Sequence, residues 1–541
     1  MWGYIAGTEF IYLCKPCIID GQSINRKRST YIMRDDLRRI GIIDIGSNSI
    51  RLVIYDTTRE GGYKIIKECK YSARLSEKIT KENRLEQKDM ETIVPVLRQF
   101  KEICNAFAVE TIRAGATAAI RNAANSSEII SFLSQSSSIP IEVISGHQEA
   151  YYGFLGVINA FNVEDGYVID IGGGSTEITL FCLRRYQHSI SFPFGAVNTN
   201  LMFGQGGNWS DEQIHKLQTF VLGRLVEHDW LNAKAGLPLF GLGGTVRSLG
   251  KLDQKTRAYS LPNSHGYTMT SETIEHFMNT LPSMPYEKRK DLEGLSKSRA
   301  DIIVSGLIIF HTVYQYIGAS EAVISGEGLR EGLLHDLLEP EQPVRDSALE
   351  YSLNTIIRFD IHTSKRYLDH INKLALSLFD AFKDESNRAE HEMLIYVSIM
   401  LHRTGTNINY YQSKRHTLYW LMNSPIRGLT HRQLILCAMI ASYSTKSRKQ
   451  KLSQQHKDIL LPSDEEWIHK LGSLVQLSIA LDSTEIGIVS GLKANLHGNT
   501  LHLDLEGASS LLIGLEDIEN AIKAFKNAWA VKVKLGFPSN V

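Results

Sequence analysis

The sequence predicts an α/β protein with two similar lobes that face each other across a cleft, followed by an all-helical domain and a small α/β domain. A nine-residue motif occurs twice in consecutive α/β blocks, and each copy lies between two apolar runs that are typical of β-strands. The length of 541 residues is too great for one hydrophobic core. Several domains are therefore expected, and the first two are related by duplication.

Changes in residue pattern divide the chain into five segments. Strand, turn and helix signals mark the first two blocks, helical periodicity marks the next, and strand-like alternation at Thr500–Leu505 marks the last. The linker Glu339–Pro343 separates the second block from the third. The predicted segments are an N-terminal extension at 1–38, lobe I at 39–160, lobe II at 161–338, a helical domain at 346–465 and a C-terminal α/β domain at 470–541.

The N-terminal segment and the cysteines indicate the cellular setting. The segment has no clear period, and Met33 is an alternative start for the natural chain. Cys14 and Cys17 form a C-x-x-C pair, but no second pair follows at zinc-ribbon spacing, so neither zinc nor redox chemistry is expected there. Six scattered cysteines and the lack of an apolar run of about 18 residues predict a soluble, cytoplasmic protein without membrane contact.

The repeated motif is Ile43–Arg51 in the first block and Ile169–Glu177 in the second. In each copy an apolar strand ends in Asp, a Gly/Ser turn follows, and a second strand begins. Glycines let backbone N–H groups surround an anion, and hydroxyls add further donors. Two such turns can hold one phosphate chain from both sides, as phosphoryl transfer requires; a pair of tight hairpins without a ligand is the alternative. The predicted phosphate-binding residues are Ser47, Asn48 and Ser49 in one turn and Gly172, Gly173, Gly174, Ser175 and Thr176 in the other.

The two copies differ at the seventh position after the aspartate. This position holds Arg51 in the first copy, and its guanidinium can pair with phosphate oxygens. It holds Glu177 in the second copy, where Glu177 and Asp170 leave one hairpin on its two strands and can converge on Mg²⁺. We therefore predict Asp170 and Glu177 as metal ligands, with Asp44 holding metal-bound water. A solvated strand residue is the alternative for Glu177.

The motifs together resemble the exopolyphosphatase/guanosine pentaphosphate phosphohydrolase family of the actin-like ATPase superfamily. The resemblance is strong over about residues 38–338 and weaker beyond. Besides the two hairpins it is carried by Gly115–Asn125, Ile144–Ala150, Gly241–Thr245, His265–Tyr267, Arg299–Asp301 and Gly328–Gly332. The resemblance implies two actin-like, ribonuclease H-like lobes, Mg²⁺ as the cofactor and a homodimer. It leaves a monovalent cation open.

The same resemblance implies that Glu149 is the catalytic base. The family usually has two glutamates here, and Gln148 replaces the first, whereas the catalytic glutamate matches Glu149. A carboxylate beside the cleft can align a water molecule and accept its proton. A glutamate that only stabilises a helix start is the alternative.

Further phosphate-binding residues are predicted outside the hairpins. Thr117 belongs to a motif that carries the resemblance, and Arg121 and Asn122 open a helix where arginine can clamp phosphate. Gly243, Gly244 and Thr245 follow a strand and precede a helix, which is a place for a backbone anion cradle.

The helical domain resembles that of HD phosphohydrolases through His370, His402 and His416. Arg403 stands where a working HD site needs Asp, and Ser444 stands where many relatives have His, so no second metal centre is expected. Residues 401–460 contain ten Lys/Arg and one acidic residue, in a chain whose basic and acidic residues both number 59. This basic stretch is either a solvated helical surface or a channel for a long polyanion.

The sequence therefore predicts an exopolyphosphatase: Mg²⁺-dependent, processive hydrolysis of terminal phosphate from inorganic polyphosphate. Removal of the 5′-phosphate from guanosine pentaphosphate is the nearest alternative, since both substrates present a terminal anhydride. A sensor that binds polyphosphate or nucleotide without turnover is a second. A sugar or acetate kinase is a third, although no acceptor pocket is marked. No nucleic-acid partner is expected.

Overall fold

The computed structural model describes residues 37–80, 82–204, 208–361, 363–382, 387–443, 452–507 and 514–536. The predictions for the N-terminal extension, for Cys14 and Cys17, for Met33 and for Ser444 fall outside these ranges. No helix among the described residues is long and apolar enough to cross a membrane.

Lobe I is built on a five-stranded sheet in the order β3-β2-β1-β4-β5. Apolar residues fill β1 on both faces, because helices or the other lobe cover both sides. The strands are β1 (Arg38–Ile45), β2 (Ile50–Thr57), β3 (Tyr63–Tyr71), β4 (Thr111–Ala116) and β5 (Ile141–Val143). The helices are α1 (Leu75–Lys78), α2 (Gln87–Ala106), α3 (Ala118–Arg121), α4 (Ser126–Ser137) and α5 (Gly146–Ile158).

Lobe II is built on a six-stranded sheet in the order β10-β11-β9-β6-β7-β8. Its strands are β6 (Gly166–Ile171), β7 (Thr176–Cys182), β8 (Arg185–Phe192), β9 (Leu239–Leu242), β10 (Thr268–Met269) and β11 (Ala322–Ile324). Its helices are α6 (Ala196–Phe203), α7 (Asp211–Leu225), α8 (Gly243–Thr256), α9 (Ser271–Thr280), α10 (Tyr286–Arg289), α11 (Ile303–Ile317) and α12 (Leu329–Leu338). Short 3₁₀ turns lie at Asp229–Asn232 and Lys297–Arg299.

The two sheets have the same topology, as the sequence repeat predicts. The order β3-β2-β1-β4-β5 in lobe I corresponds to β8-β7-β6-β9-β11 in lobe II. In each lobe the first two strands form an antiparallel hairpin, and the first strand pairs in parallel with a later one. The predicted α/β fold with duplicated lobes is confirmed.

The last helix of the predicted lobe II packs against lobe I. Helix α12 crosses α5 so closely that a Cβ at Gly332 would lie 1.9 Å from the backbone oxygen of Tyr152. A Cβ at Gly156 would likewise lie 2.5 Å from the backbone oxygen of Gly328. Only glycine permits this approach, which locks the end of lobe II onto the helix that carries Glu149.

The helical region and the C-terminal sheet share one hydrophobic core. Helix α18 (Asp464–Leu481) runs across the predicted boundary at 465–470 and packs on both sides, so the two predicted domains meet without a linker. The helices are α13 (Ala348–Asp360), α14 (Lys365–Asp380), α15 (Arg388–Leu401), α16 (Ser413–Asn423), α17 (His431–Ala441), α18 (Asp464–Leu481) and α19 (Leu515–Trp529). The strands are β12 (Gly491–His497), β13 (Thr500–Glu506) and β14 (Lys532–Gly536).

Candidate active site

A cleft of about 150 Å³ lies between the lobes, where the two hairpin turns meet. Most predicted site residues line it: Asp44, Ser47, Asn48, Ser49, Arg51, Thr117, Glu149, Asp170, Gly172, Gly173, Ser175, Gly243 and Gly244. Three arginines that carried no predicted role also line it, namely Arg247, Arg299 and Arg330.

The hairpin turns are equivalent in detail. The backbone N–H of Gly46 donates to Ser49 O at 3.1 Å, and that of Gly172 donates to Ser175 O at 3.0 Å. The turns also approach each other, since a Cβ on Gly173 would lie 3.0 Å from Ser47 Cβ. Backbone donors from both lobes therefore face the same small space.

Several residues predicted to bind phosphate do not line the cleft. The Thr176 hydroxyl donates to Phe194 O at 2.7 Å, and Thr245 packs against Gly306 of α11. Asn122 is exposed at the end of α3. Gly174 is absent from the lining, although its neighbours in the turn contribute to it. The side chains of Thr176 and Thr245 are turned inward because strand and helix geometry point them into the lobe II core.

Glu149 lies in the first turn of α5, and an N-terminal cap fixes that turn. Ser145 Oγ accepts from the N–H of Gln148 at 3.2 Å, and Gln148 Oε1 accepts from the N–H of Ser145 at 2.9 Å. The glutamine that departs from the family pattern therefore completes a capping box. This cap leaves Glu149, one residue later, at the cleft.

Arg121 holds Glu149 rather than lining the cleft. Its Nη1 donates to Glu149 Oε2 at 2.6 Å and to Ile144 O at 2.9 Å, and its Nη2 lies 3.8 Å from Glu177 Oε1. The predicted phosphate clamp is thus engaged by two carboxylates. Its position in the structure favours orientation of Glu149 over contact with substrate.

Four carboxyl groups, which we call the carboxylate group, lie together: Asp44, Glu149 and Asp170, which are partly buried, and Glu177, which is buried. Burial raises the pKa of Glu149 to about 7, against the opposing effect of Arg121, and raises the pKa of Asp170 to about 6. Burial and the neighbouring Glu149 and Asp170 raise the pKa of Glu177 well above its usual value. Asp44, Glu149 and Asp170 line the cleft, whereas Glu177 is not among its lining residues. Acids with perturbed pKa values in a cleft mark a functional site.

Four arginines, which we call the arginine group, complete the lining: Arg51, Arg247, Arg299 and Arg330. Burial, followed by Arg247 and Arg51, lowers the pKa of Arg299 to about 10. Arg247 donates to Gly243 O at 2.8 Å, and burial together with Arg330 and Arg51 lowers its pKa. Arg51 and Arg330 both donate to Glu68 Oε1, at 3.0 and 3.2 Å. One carboxylate thus offsets part of the charge of four clustered cations, and such a cluster can hold a multivalent anion.

The carboxylate group fits a hard cation. Ser191 Oγ donates to Glu177 Oε1 at 2.7 Å, while Glu177 Oε2 is buried with no hydrogen-bond partner among the described residues. Across the same residues, no three His, Cys, Asp or Glu side chains converge as a ready metal cage. Mg²⁺ in phosphoryl-transfer sites takes one or two carboxylates and completes its shell with water and substrate oxygens. The oxygens of Asp170, Glu177 and Asp44 are of the required kind.

The fold and the cleft together define a phosphoryl-transfer protein of the actin-like class. The sequence profile described as the Ppx/GppA phosphatase family matches residues 53–341, and that of its domain III matches residues 344–516. The chain belongs to the Ppx/GppA phosphatase family. Its members hydrolyse phosphoanhydride bonds, so the predicted family and enzyme class are confirmed.

Two curated relatives show how far the similarity extends. The chain is 27% identical over 402 residues to the guanosine-5′-triphosphate,3′-diphosphate pyrophosphatase of Pseudoalteromonas atlantica, covering 72% of this chain and 76% of that protein. It is 28% identical over 295 residues to the bifunctional 3-dehydroquinate synthase/phosphatase of Fusobacterium nucleatum. That match covers 52% of this chain and 44% of the length of the Fusobacterium protein.

Two solved structures share the fold of the lobes. The Aquifex aeolicus member of the Ppx/GppA family is 30% identical with a TM-score of 0.50, and the match covers 57% of this chain and 99% of that one. An exopolyphosphatase from Cytophaga hutchinsonii is 22% identical with a TM-score of 0.53, covering 57% and 100%. The second of these supports the fold alone.

Fewer side chains of the basic stretch are available to bind an anion than its composition indicates. Arg403 pairs with Glu485, Arg427 with Glu327, and Arg432 with both Glu390 and Asp464. Lys414, Arg415 and Lys457 are exposed. Half of the six basic residues described in the stretch therefore bind carboxylates from outside it, which weakens the reading of the whole stretch as a polyanion channel.

Proposed function

We propose that this protein is an exopolyphosphatase that removes terminal phosphate from inorganic polyphosphate, processively and with Mg²⁺. The observation that carries this proposal is the position of Glu149. Its buried carboxyl group has a pKa of about 7 and lines a cleft that also contains the arginine group. A general base works best when its pKa lies near the operating pH.

The residues of the cleft divide the reaction between them. The arginine group and the turn donors hold the phosphate chain with its terminal phosphoryl toward Glu149. Glu149, oriented by Arg121, accepts a proton from the attacking water. The new bond joins the water oxygen to the terminal phosphorus, while the bond from that phosphorus to the bridging oxygen breaks. The shortened chain leaves with that oxygen, and donors already in place stabilise its charge.

Asp170, Glu177 and Asp44 would hold Mg²⁺, which would supply positive charge to the phosphate oxygens. The buried and unpaired Glu177 Oε2 supports this assignment. Burial raises the pKa of all three carboxyl groups, so a cation beside them would offset the lost hydration of their charged forms.

The lining of the cleft favours a polymer over a nucleotide. None of the described lining residues is aromatic, and most are small, polar or charged. A guanine base is usually held on apolar or aromatic surface, whereas a phosphate chain needs only donors and cations. Guanosine pentaphosphate is the second candidate, supported by the match to the Pseudoalteromonas guanosine-5′-triphosphate,3′-diphosphate pyrophosphatase over 402 residues.

The test is phosphate release from long-chain polyphosphate and from guanosine pentaphosphate, with the same enzyme and Mg²⁺ concentrations. Glu149→Gln, purified in parallel, measures contaminating phosphatase. We expect faster release from polyphosphate. Faster release from the nucleotide would favour the second candidate, and release no greater than in Glu149→Gln on both substrates would leave a non-catalytic sensor.

We further propose a cytoplasmic homodimer, and the scattered cysteines support the location.

A further inference from the structure

The segment Ser325–Glu331 forms one wall of the cleft; residues 325–328 join β11 to α12, and residues 329–331 begin that helix. Ser325 Oγ donates to Glu327 O at 2.6 Å, and Gly328 N–H donates to Glu331 Oε2 at 2.9 Å. Arg330 of the arginine group follows two residues after Gly328. The position of this wall therefore sets the position of one cation that faces the substrate.

Glu327 in this wall is held by Tyr63 of lobe I and by Arg427 from outside the lobes. Its Oε1 accepts from Arg427 Nε at 2.5 Å, and its Oε2 accepts from Tyr63 OH at 3.1 Å. The Arg427 side chain is 9% exposed and that of Glu327 is 13% exposed, so the ion pair is screened from water. The Arg427 guanidinium also lies over the Tyr63 ring, 4.5 Å from its centroid.

Arg427 belongs to the helical domain, in the loop between α16 and α17. The same loop is anchored on both sides. Arg427 N–H donates to Ser352 Oγ at 3.1 Å, and Gly428 N–H donates to Ala160 O, just beyond α5, at 3.0 Å. A loop of the helical domain, anchored by these two hydrogen bonds, thus contacts the cleft wall through Glu327.

We propose that Arg427 is a positioning residue of the active site, through which the helical domain fixes the cleft wall and its Arg330. This rests on the proposed function of the cleft. An isolated carboxylate is costly to bury, so Glu327 without Arg427 would take up a proton or turn away. Either change displaces the wall, and a shift of about 1 Å at a reacting centre can reduce turnover about 10²-fold.

The experiment compares phosphate release from tripolyphosphate by the full-length wild type, Arg427→Met, Arg427→Lys, Glu327→Gln and the double variant Arg427→Met/Glu327→Gln. We expect Arg427→Met to lower kcat about 10²-fold, with a smaller loss in Arg427→Lys, which keeps the charge. The double variant should recover most of the loss, because a neutral amide needs no cation.

Arg432→Met is the matched control. Arg432 lies five residues away in the same basic stretch, and its carboxylate partners Glu390 and Asp464 are both in the helical region. We expect its kcat to equal that of the wild type. Circular dichroism and the thermal midpoint of each variant identify any loss of folding.

The outcomes separate this inference from the proposed function. If the wild type releases phosphate and Arg427→Met does so at the same rate, the inference fails and the proposed function stands. Equal losses in Arg427→Met and in the double variant would also overturn it, because the effect would not pass through Glu327. If the wild type is inactive, the proposed function fails, and calorimetric affinity for tripolyphosphate decides the inference. About tenfold weaker binding in Arg427→Met, restored in the double variant, would support it. Unchanged affinity would overturn it.

Discussion

The β1–β2 and β6–β7 hairpins share their turn hydrogen bond and their register, for Asp44 pairs with Arg51 across one and Asp170 with Glu177 across the other. Each hairpin thus supplies the same backbone donors. The charge of the side chain seven residues after the aspartate, however, is positive in the first hairpin and negative in the second. Arg51 joins the arginine group, and Glu177 joins the carboxylate group. Under the proposed function, this one difference between two similar hairpins would place a cation for the phosphate chain on one side of the cleft and a metal-binding carboxylate on the other.

The largest effect is expected at Glu149, which lies beside the carboxylates of the second hairpin. Glu149→Gln keeps the size of the side chain but removes the proton acceptor, so kcat should fall by roughly 10²- to 10⁴-fold with little change in substrate affinity. Steady-state phosphate release and calorimetry measure the two quantities. Turnover close to that of the wild type would remove Glu149 from the mechanism.

The pH dependence should follow the same carboxyl group. Burial raises the pKa of Glu149 from 4.5 to about 7, so the group is protonated and unable to accept a proton at lower pH. Below pH 7 the value of kcat/KM should fall about tenfold per unit, and the inflection should move to lower pH as Mg²⁺ rises, because a nearby cation favours the carboxylate. An inflection near 4.5 at low Mg²⁺ would contradict a desolvated base.

Substitution at the seventh position of each hairpin tests the division of the cleft directly. Glu177→Gln should raise the Mg²⁺ concentration for half-activation by roughly 10- to 100-fold, with partial recovery at high Mg²⁺. Arg51→Met should raise KM about tenfold and leave Mg²⁺ activation unchanged. The Mg²⁺ concentration for half-activation and KM are both measured from phosphate release, by varying the Mg²⁺ and the substrate concentration in turn. If Glu177→Gln gives an unaltered Mg²⁺ curve, a ligand role for Glu177 is not tenable.

The smallest effect is expected outside the lobes, in the basic stretch. Truncation after residue 340 would also delete Arg427, the partner of Glu327, and would not test the basic stretch alone. Exposed basic residues of the stretch should therefore be substituted instead. Lys414→Gln/Arg415→Gln should raise KM for long-chain polyphosphate a few-fold and flatten its salt dependence, because fewer counterions are released on binding. Tripolyphosphate serves as the matched substrate and should be unaffected. Equal losses on both substrates would identify this surface as a folding support.

The hairpins and the lobes could be predicted because their signals are local. The segments Ile43–Arg51 and Ile169–Glu177 each contain the end of one strand, the turn and the start of the next strand in nine residues. The role of Glu149 could be predicted for a different reason, because the motif around this residue carries the resemblance to the family. In each case the relevant residues are neighbours in sequence.

The arginine group could not be predicted as a set. Arg247 lies in the second turn of α8, Arg299 in a 3₁₀ turn and Arg330 at the start of α12, and only the topology brings them together. Arg299 and Arg330 lie in motifs that carry the resemblance, but no spacing marks them as phosphate ligands. Conversely, Thr176 and Thr245 have side chains that suit a phosphate site. Each lies on the side of its strand or helix that faces the core, so its hydroxyl does not reach the cleft.

The close crossing of α5 and α12 has a consequence for how this sequence can vary over evolutionary time. At Gly332 a methyl group would lie 1.9 Å from a backbone oxygen, which cannot move aside as a side chain can. We therefore expect lineages that lose phosphatase activity to replace Glu149 freely while keeping Gly332. In a related sequence, glycine at this position would indicate that α5 and α12 still cross in the same way. It would not indicate whether that protein is still an enzyme.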